Sequence, residues 1–198
     1  MINNLDEFTA ASVIQLVESI EPGCGDSLKV LVPMMSLHEV GKNKMLFHAG
    51  QENRYEYLLL DGLLRSLILD EKGNETTVAF HSGPCVVTPC IARSDYSRSL
   101  VSCEAVQTSR IVRFPENALM DLMRKDENAS RWGNRVMQVE LVRRSKREWS
   151  LAAESGAQRL DRFEKEHPDV ASVVSAKIIA TYLGITPVTL SRLRNTGR

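Results

Sequence analysis

The sequence predicts an α+β protein, in which an antiparallel β-sandwich or barrel is followed by a helical C-terminal region. Three observations support this fold class. Between about residues 25 and 115, short apolar or alternating runs are separated by turns that contain Gly, Pro or Asp. After Pro115 the apolar residues recur at helical spacing instead. The chain then ends with two short segments of helical spacing on either side of Gly184.

The N-terminal half opens with LDEFTAASVIQLVESI, whose apolar residues recur every three or four positions and predict a short amphipathic helix. From about Val40 the rhythm changes to short alternating runs, which predict strands. The clearest β-hairpin is LRSLILD-EKGN-ETTVAF, in which Gly73 can supply the positive φ that a tight turn needs.

A long helix is predicted by RWGNRVMQVELVRRSKREWSLAA, a proline-free stretch that follows a shorter helical segment, ENALMDLMRKDENAS. We interpret its apolar stripe as a dimer seam, although a surface helix packed on its own domain would show the same spacing. Arg143 and Gly133 interrupt the stripe. Its apolar positions are Ala129, Trp132, Val136, Val139, Val142 and Trp149.

The next segment, SGAQRLDRFEKEHPDV, predicts one more helix, which ends before Pro168. In the final segment Ser175 is suited to cap a helix, and the small Ala180 suits the point where a second helix crosses. Gly184 can take the left-handed conformation that ends the first helix. Thr186 can cap the second, with Pro187 at its first position.

These features together describe a helix-turn-helix, in which the second helix presents a polar N-terminal half. Leu190 and Leu193 return that helix to the core. An ordinary helical hairpin is the alternative, but the absence of acidic residues after Asp169 suits a helix that approaches phosphates. The outward residues are expected to be Val188, Thr189, Ser191, Arg192 and Asn195.

Charge is distributed unevenly, although 25 basic and 25 acidic residues balance overall. Residues 1–127 hold 12 Lys and Arg against 18 Asp and Glu, whereas residues 128–198 hold 13 against 7. Such an asymmetry indicates a C-terminal module that meets a polyanion. A solvated basic face would give the same count.

Composition favours a cytoplasmic protein with no membrane partner. The hydrophobic fraction is 43%, and no apolar run approaches the ~18 residues of a membrane span. The first residues, MINNLDEFTAASV, lack the basic region of a signal peptide. The cysteines form no C-x-x-C motif, which argues against a zinc ribbon or a redox pair, so buried thiols are expected. A redox role for Cys85 and Cys90 stays open.

This order of parts resembles the Crp/Fnr family of bacterial transcription regulators, which join a β-roll sensor, a long helix and a helix-turn-helix. The segment ATYLGITPVTLSRLR carries the closest resemblance, and the roll keeps turn glycines at Gly50, Gly62, Gly73 and Gly83. The resemblance implies an antiparallel β-roll (a double-stranded β-helix or jelly roll). It also implies a homodimer on a pseudo-palindromic site in double-stranded DNA, with RNA polymerase as a further candidate partner. We expect an N-terminal helix and roll over residues 1–127, a dimerisation helix over 128–152 and a helix-turn-helix domain over 153–198.

The resemblance also implies roles for single residues. Arg192 matches a base-reading arginine suited to guanine, Thr186 and Thr189 match phosphate-contacting hydroxyls, and Lys177 matches a backbone-contacting position. Ser191 and Asn195 complete the predicted DNA-binding set. Val188 stands where cAMP-responsive members read bases with a polar residue, so a different target is expected, with Val188 facing a thymine methyl.

The sensor half departs from the cAMP-binding pattern of the family. Val87 and Thr88 occupy the positions of its Gly-Glu pair, and Arg98-Ser99 fits its phosphate-binding pair only if the loop slips by one residue. We therefore expect an effector pocket near Thr88, Arg98 and Ser99 that does not bind cAMP in the usual way. The effector stays unknown, and no metal or other cofactor is predicted.

Two other classes of protein are alternatives for this sequence. A β-roll of this type also resembles the cupins, which hold a metal, but His48 and His81 stand alone and no catalytic constellation is evident, so an enzyme is not expected. The remaining alternative is a ligand-sensing or partner-binding protein whose helix pair no longer binds DNA.

Overall fold

The computed structural model describes residues 5–89 and 97–196. It begins with α1 (Glu7–Ile20), α2 (Gly25–Leu28) and a 3-10 helix (Lys29–Met34). Eight strands follow: β1 (Ser36–Val40), β2 (Met45–Phe47), β3 (Tyr55–Asp61), β4 (Leu63–Leu69), β5 (Glu75–Ser82), β6 (Cys85–Val87), β7 (Ser102–Ala105) and β8 (Ser109–Pro115). Six helices complete the described chain: α3 (Glu116–Met123), α4 (Glu127–Ala153), α5 (Gly156–Glu166), α6 (Pro168–Val173), α7 (Ala176–Leu183) and α8 (Pro187–Thr196).

The strands form two four-stranded sheets, ordered β1-β8-β3-β6 and β2-β7-β4-β5, and every pair is antiparallel. The two sheets enclose an apolar core that includes Tyr57, Leu59, Leu64 and Ile111. The predicted hairpin is β4–β5, and Gly73 in its turn has φ +79°. The predicted antiparallel β-roll with a helical C-terminal region is thus confirmed.

A second core lies where the N-terminal helices pack on the first sheet. Val13 and Val17 of α1, Leu28 of α2 and Phe114 of β8 are all buried there. The first turns of α4 close this core, and Trp132 is 1% exposed. The predicted N-terminal helix is confirmed, and its apolar stripe faces the roll.

The beginning of the predicted dimer seam is therefore corrected. Ala129 and Trp132 are completely enclosed by residues of their own chain and cannot meet a second copy. Gly133 lies beside them because α3 crosses closely here: a Cβ at this position would stand 2.5 Å from the Met123 methyl. What reads in the sequence as a weak point in the helix is thus the point where two helices touch.

The helical region folds over a third core. Leu160 and Phe163 of α5, Ile179 of α7 and Leu190 of α8 are buried in it. Leu63 of β4 belongs to the same core. Helix α7 also packs directly against β5 of the roll. Helix α5 begins with a capping box formed by Ser155 and Gln158 and ends before Pro168, as predicted; the short α6 after it was not predicted. In the described part of the chain, no helix is both long and apolar enough to cross a membrane.

Candidate functional site

The turn between α7 and α8 is built by local interactions. The Ser175 hydroxyl accepts a hydrogen bond from the Ile178 N–H at 3.4 Å and caps α7. Gly184 takes the left-handed conformation (φ 64°, ψ 35°), and the Ile185 N–H donates to the Ala180 carbonyl at 3.0 Å. These bonds close the exposed end of α7. The predicted cap and turn are both confirmed.

Helix α8 starts with a hydroxyl cap. The Thr186 Oγ1 accepts from the Thr189 N–H at 3.1 Å, and the two hydroxyls lie 2.9 Å apart. Leu190 is buried and Leu193 is half-buried, so this side of α8 holds the helix to the core. At the other end Arg194 forms an ion pair with Glu164 of α5 at 3.0 Å. The helix is therefore capped at its start, packed on the core through Leu190 and paired with α5 near its end.

The opposite face of α8 is open to solvent. Val188 is 59% exposed, and Ser191, Arg192 and Asn195 are exposed as well. Positions three, four and seven apart share one face of a helix, so these four side chains form a single surface. Lys177 is exposed near the start of α7, and Thr189 is half-buried at the edge of the surface. We call the surface formed by Val188, Ser191, Arg192 and Asn195 the α8 face.

A cavity of about 300 Å³ lies between the roll and α4. Of the three predicted effector-pocket residues, Thr88 lines it. Arg98 instead donates to the Gly50 carbonyl at 2.6 Å, and the buried Ser99 hydroxyl donates to the Val101 carbonyl at 2.6 Å. Neither lies among the described lining residues of the cavity, so the predicted group of three is not brought together there.

Helix α4 supplies the charged wall of this cavity, which the sequence reasoning missed. Glu140, Arg143, Arg144 and Arg147 all line it. Glu140 accepts two bonds from Arg143, at 2.6 and 2.8 Å, and one from Arg144 at 2.9 Å. Burial raises the pKa of Glu140, but the bonds and charges of the two arginines outweigh burial and lower this pKa. These residues are three or four positions apart in the sequence, and this spacing could have predicted that they share one face of α4.

The roll side of the cavity is neutral. The His81 Nε2 lies 3.0 Å from the Ser66 hydroxyl, and burial together with the nearby Arg143 lowers the pKa of His81 to about 4. Cys85 and Cys103 are not among the described lining residues of this cavity. Burial raises the pKa of each to about 12, so both remain thiols at neutral pH. Cys90 lies outside the described residues. Within residues 5–89 and 97–196, no group of three or more His, Cys, Asp and Glu is placed to hold a metal.

The roll and the helix-turn-helix are joined by polar contacts. The Thr77 N–H on β5 donates to the Thr181 Oγ1 on α7 at 3.2 Å, and the two hydroxyls also lie 3.2 Å apart. Arg147 donates to the Thr77 carbonyl at 3.2 Å, and its guanidinium lies 4.2 Å from the centre of the Tyr182 ring. Behind them, Arg65 is buried between Glu75 and Glu104 and donates to the Thr77 hydroxyl at 3.3 Å. We call Thr77, Arg147, Thr181 and Tyr182 the junction.

Comparison with known proteins agrees with this architecture. Residues 37–126 match the family described as the cyclic nucleotide-binding domain. The fumarate and nitrate reduction regulatory protein of Vibrio cholerae is 27% identical over 165 residues, which are 78% of this chain and 65% of that protein. The chain thus aligns with less than two thirds of this relative's length.

Solved structures share the fold. FixK2 from Bradyrhizobium japonicum superimposes with a TM-score of 0.73 at 20% identity, over 82% of this chain and 83% of that one. A protein from Eubacterium rectale, described as a transcriptional regulator of the Crp/Fnr family, gives a TM-score of 0.71 at 18% identity, over 86% and 82%.

The architecture combines a cyclic nucleotide-binding-like roll with a helix-turn-helix, and the long helix α4 joins the two. Residues 37–126 thus carry the signature of a cyclic nucleotide-binding domain, and the chain as a whole resembles regulators of the Crp/Fnr family. The proteins that it resembles are transcriptional regulators and not enzymes.

Proposed function

We propose that the protein is a homodimeric transcriptional regulator that binds a specific double-stranded DNA site through α8. The single observation that carries this proposal is the α8 face: four side chains suited to base edges are exposed to solvent on a helix whose other side is packed on the core. A rigid helix of this kind fits the major groove. The neighbouring helix α7 and α8 itself contain no acidic residue, so no carboxylate on them would repel phosphates.

Each residue of the interface receives a role from its chemistry. Arg192 is suited to a bidentate contact with guanine, and Val188 to the methyl group of thymine. Ser191 and Asn195 can bond to base edges farther along the groove. Thr186, Thr189 and Lys177 are assigned to phosphates, where contacts orient the protein and do not discriminate between sequences.

Dimerisation is assigned to the exposed side of α4. Val139, Val142 and Trp149 are about half exposed or more, and Val142 and Trp149 are seven residues apart, as in a coiled coil. A second copy paired through them would give the assembly two α8 helices related by a twofold axis. We accordingly divide the chain into a sensor (1–127), a dimerisation helix (128–152) and a DNA-binding domain (153–198).

The cavity behind α4 is proposed as the effector site. Its volume of about 300 Å³ is at the small end of ligand sites. Because α4 forms one wall, an occupant would bias the helix that joins the sensor to α7 and α8. Val87 and Thr88 stand where cAMP-responsive members carry Gly-Glu, so an effector other than cAMP is expected. Arg98 and Ser99 are proposed to lie next to this site and not in it.

Selection of DNA from a random pool by the purified full chain tests the proposal. We expect enrichment of a pseudo-palindrome whose half-sites are about one helical turn apart. RNA polymerase added to the selected complex would then reveal a second partner. If no sequence is enriched above the input pool, DNA binding is rejected and a partner-binding role of the roll takes its place.

A further inference from the structure

A second and larger cavity lies at the junction, outside the space between the roll and α4. It measures about 580 Å³ and is bounded by α4, α5, the end of α7 and Phe80 of β5. Six basic side chains line it: Arg135, Arg143, Lys146, Arg147, Arg159 and Arg162. Among its described lining residues, Glu166 is the one carboxylate.

Only two of the six cations are neutralised by ion pairs in the described structure. Arg162 pairs with Glu154 at 2.5 Å, and Arg143 pairs with Glu140 at 2.6 Å. Both partner carboxylates belong to α4 or its end, and neither lines this cavity.

Three of the other four cations have neutral partners, and the fourth, Lys146, is exposed. Arg159 donates to the backbone carbonyls of Leu183, Ser150 and Glu154. Arg135 donates to the side-chain carbonyl of Gln138 at 2.9 Å. Half-buried Arg147 contacts the Thr77 carbonyl and the Tyr182 ring, and burial lowers its pKa. Four cations without an ion pair therefore meet at a cavity in which Glu166 is the one described lining carboxylate.

We propose that this cavity binds a small molecule or ion that carries two or more phosphate or carboxylate groups. Guanidinium groups are suited to such oxyanions because their planar N–H donors can bond to two oxygens at once. The cavity is within the usual volume of small-ligand sites. An anion here would also relieve the mutual repulsion of cations that are partly withdrawn from water.

A second copy of the chain does not supply the missing charge. In a twofold contact through α4, the same surface of both copies forms the interface. The cavity residues on that side of α4 are Arg135, Val139, Val142 and Lys146, so the partner's helix would bring further cations and apolar groups to the axis.

An occupant would also hold two parts of the molecule together. Arg147 and Lys146 belong to α4, whereas Arg159 and Arg162 belong to α5, the first helix of the DNA-binding region. Since one bound anion could contact both helices, it would stabilise the present position of α7 and α8 against the roll. The proposed effector cavity behind α4 shares Arg143 and Arg147 with this site, so the two sites are expected to influence one another.

Isothermal titration calorimetry of the full chain with inorganic pyrophosphate, at constant physiological ionic strength and without DNA, tests the site. We expect saturable binding of one pyrophosphate per chain, weakened roughly tenfold or more by Lys146→Gln and by Arg147→Gln. The control Arg124→Gln removes an exposed arginine at the end of α3 that does not line the cavity, and it should leave the affinity unchanged. Citrate in a parallel titration distinguishes a preference for phosphate from one for carboxylate.

Lys146 is exposed, so Lys146→Gln decides the question even if Arg147→Gln disturbs the fold. Absence of saturable heat with both anions, or equal weakening by all three substitutions, overturns the proposal. So does a loss of DNA affinity in Lys146→Gln without any anion binding, which would make the cavity a phosphate-contacting part of the DNA surface. The titration uses no DNA, so its outcome does not depend on whether α8 reads a sequence.

Discussion

The guanidinium of Arg147 on α4 lies 4.2 Å from the centre of the Tyr182 ring on α7, and it also donates to the carbonyl of Thr77 on β5. The side chain of Arg147 thus links α4 to both the helix-turn-helix and the roll. Thr77 and Thr181, which are 104 positions apart, add a direct bond between the roll and α7. These side-chain contacts hold the helix-turn-helix against the roll, in addition to the covalent connection through α4 and α5.

The α8 face leads to a prediction about specificity. Replacing Arg192 by Ala should cost about 1–3 kcal/mol in binding to the selected site and should relax the preference at one base pair of each half-site. Affinity for random DNA should change much less, because phosphate contacts remain. Electrophoretic mobility-shift titrations with both DNAs measure the two effects.

The control for this substitution is Arg124→Ala, which removes the same charge from an exposed site on the sensor side. Superimposable binding curves for Arg192→Ala and the parent protein would show that Arg192 does not read a base.

The exposed stripe of α4 leads to a prediction about assembly. Val142→Glu should convert dimer to monomer at micromolar concentration, because it places two like charges opposite each other across a twofold seam. Leu141→Glu is the matched control, since Leu141 is 52% exposed and Val142 is 48% exposed, but Leu141 points away from the stripe. Sedimentation velocity measures the outcome. A parent protein that sediments as a monomer, or equal effects of both substitutions, would contradict the seam.

Gly184 leads to a prediction about stability. An L-residue in the left-handed conformation costs about 1–2 kcal/mol, so Gly184→Ala should lower the free energy of unfolding by about that amount. A Cβ here would also stand 3.1 Å from the Leu151 methyl. Urea denaturation followed by circular dichroism gives the change.

Gly73→Ala provides the comparison, because Gly73 has φ +79° and no heavy atom lies within 4 Å of its added Cβ. The loss of unfolding free energy in Gly73→Ala should therefore reflect only the cost of the left-handed backbone. A Gly184→Ala protein as stable as the parent would mean that the turn does not need a left-handed residue.

His81 leads to a prediction about pH. Its pKa is lowered to about 4 by burial and by Arg143, with Arg144 acting in the same direction and Glu140 opposing it. The unfolded chain therefore binds more protons than the folded protein between about pH 6.5 and pH 4. The contribution of neutral His81 to the free energy of unfolding is fully present above pH 6.5. It is lost as the pH falls from about 6.5 to about 4.

His81→Gln removes this titration. The free energy of unfolding of the parent should therefore fall more steeply than that of the variant between pH 7 and pH 5. Other groups, including His38 and His167, whose pKa values are also lowered by burial, titrate in both proteins and cancel in the comparison. Parallel pH profiles would mean that His81 is accessible to protons in the folded state.

The sequence alone determined the local structure. The caps at Ser175 and Thr186, the left-handed turn at Gly184 and the hairpin at Gly73 all follow from interactions between residues a few positions apart. Spacing also predicted an antiparallel sandwich or barrel and the helical region, because a period of two or of about 3.6 residues indicates which side of an element is apolar. The α8 face was predicted for the same reason.

Only the tertiary structure decided what covers each apolar or charged side. The stripe of α4 reads as one seam, yet Trp132 lies in the core of its own roll while Trp149 is exposed. The basic residues of α4 line two cavities, and Arg147 meets Thr77 and Tyr182 from distant parts of the chain. Periodicity gives the direction of a side chain from its helix axis, but its neighbour across a core is set by the packing of all elements together.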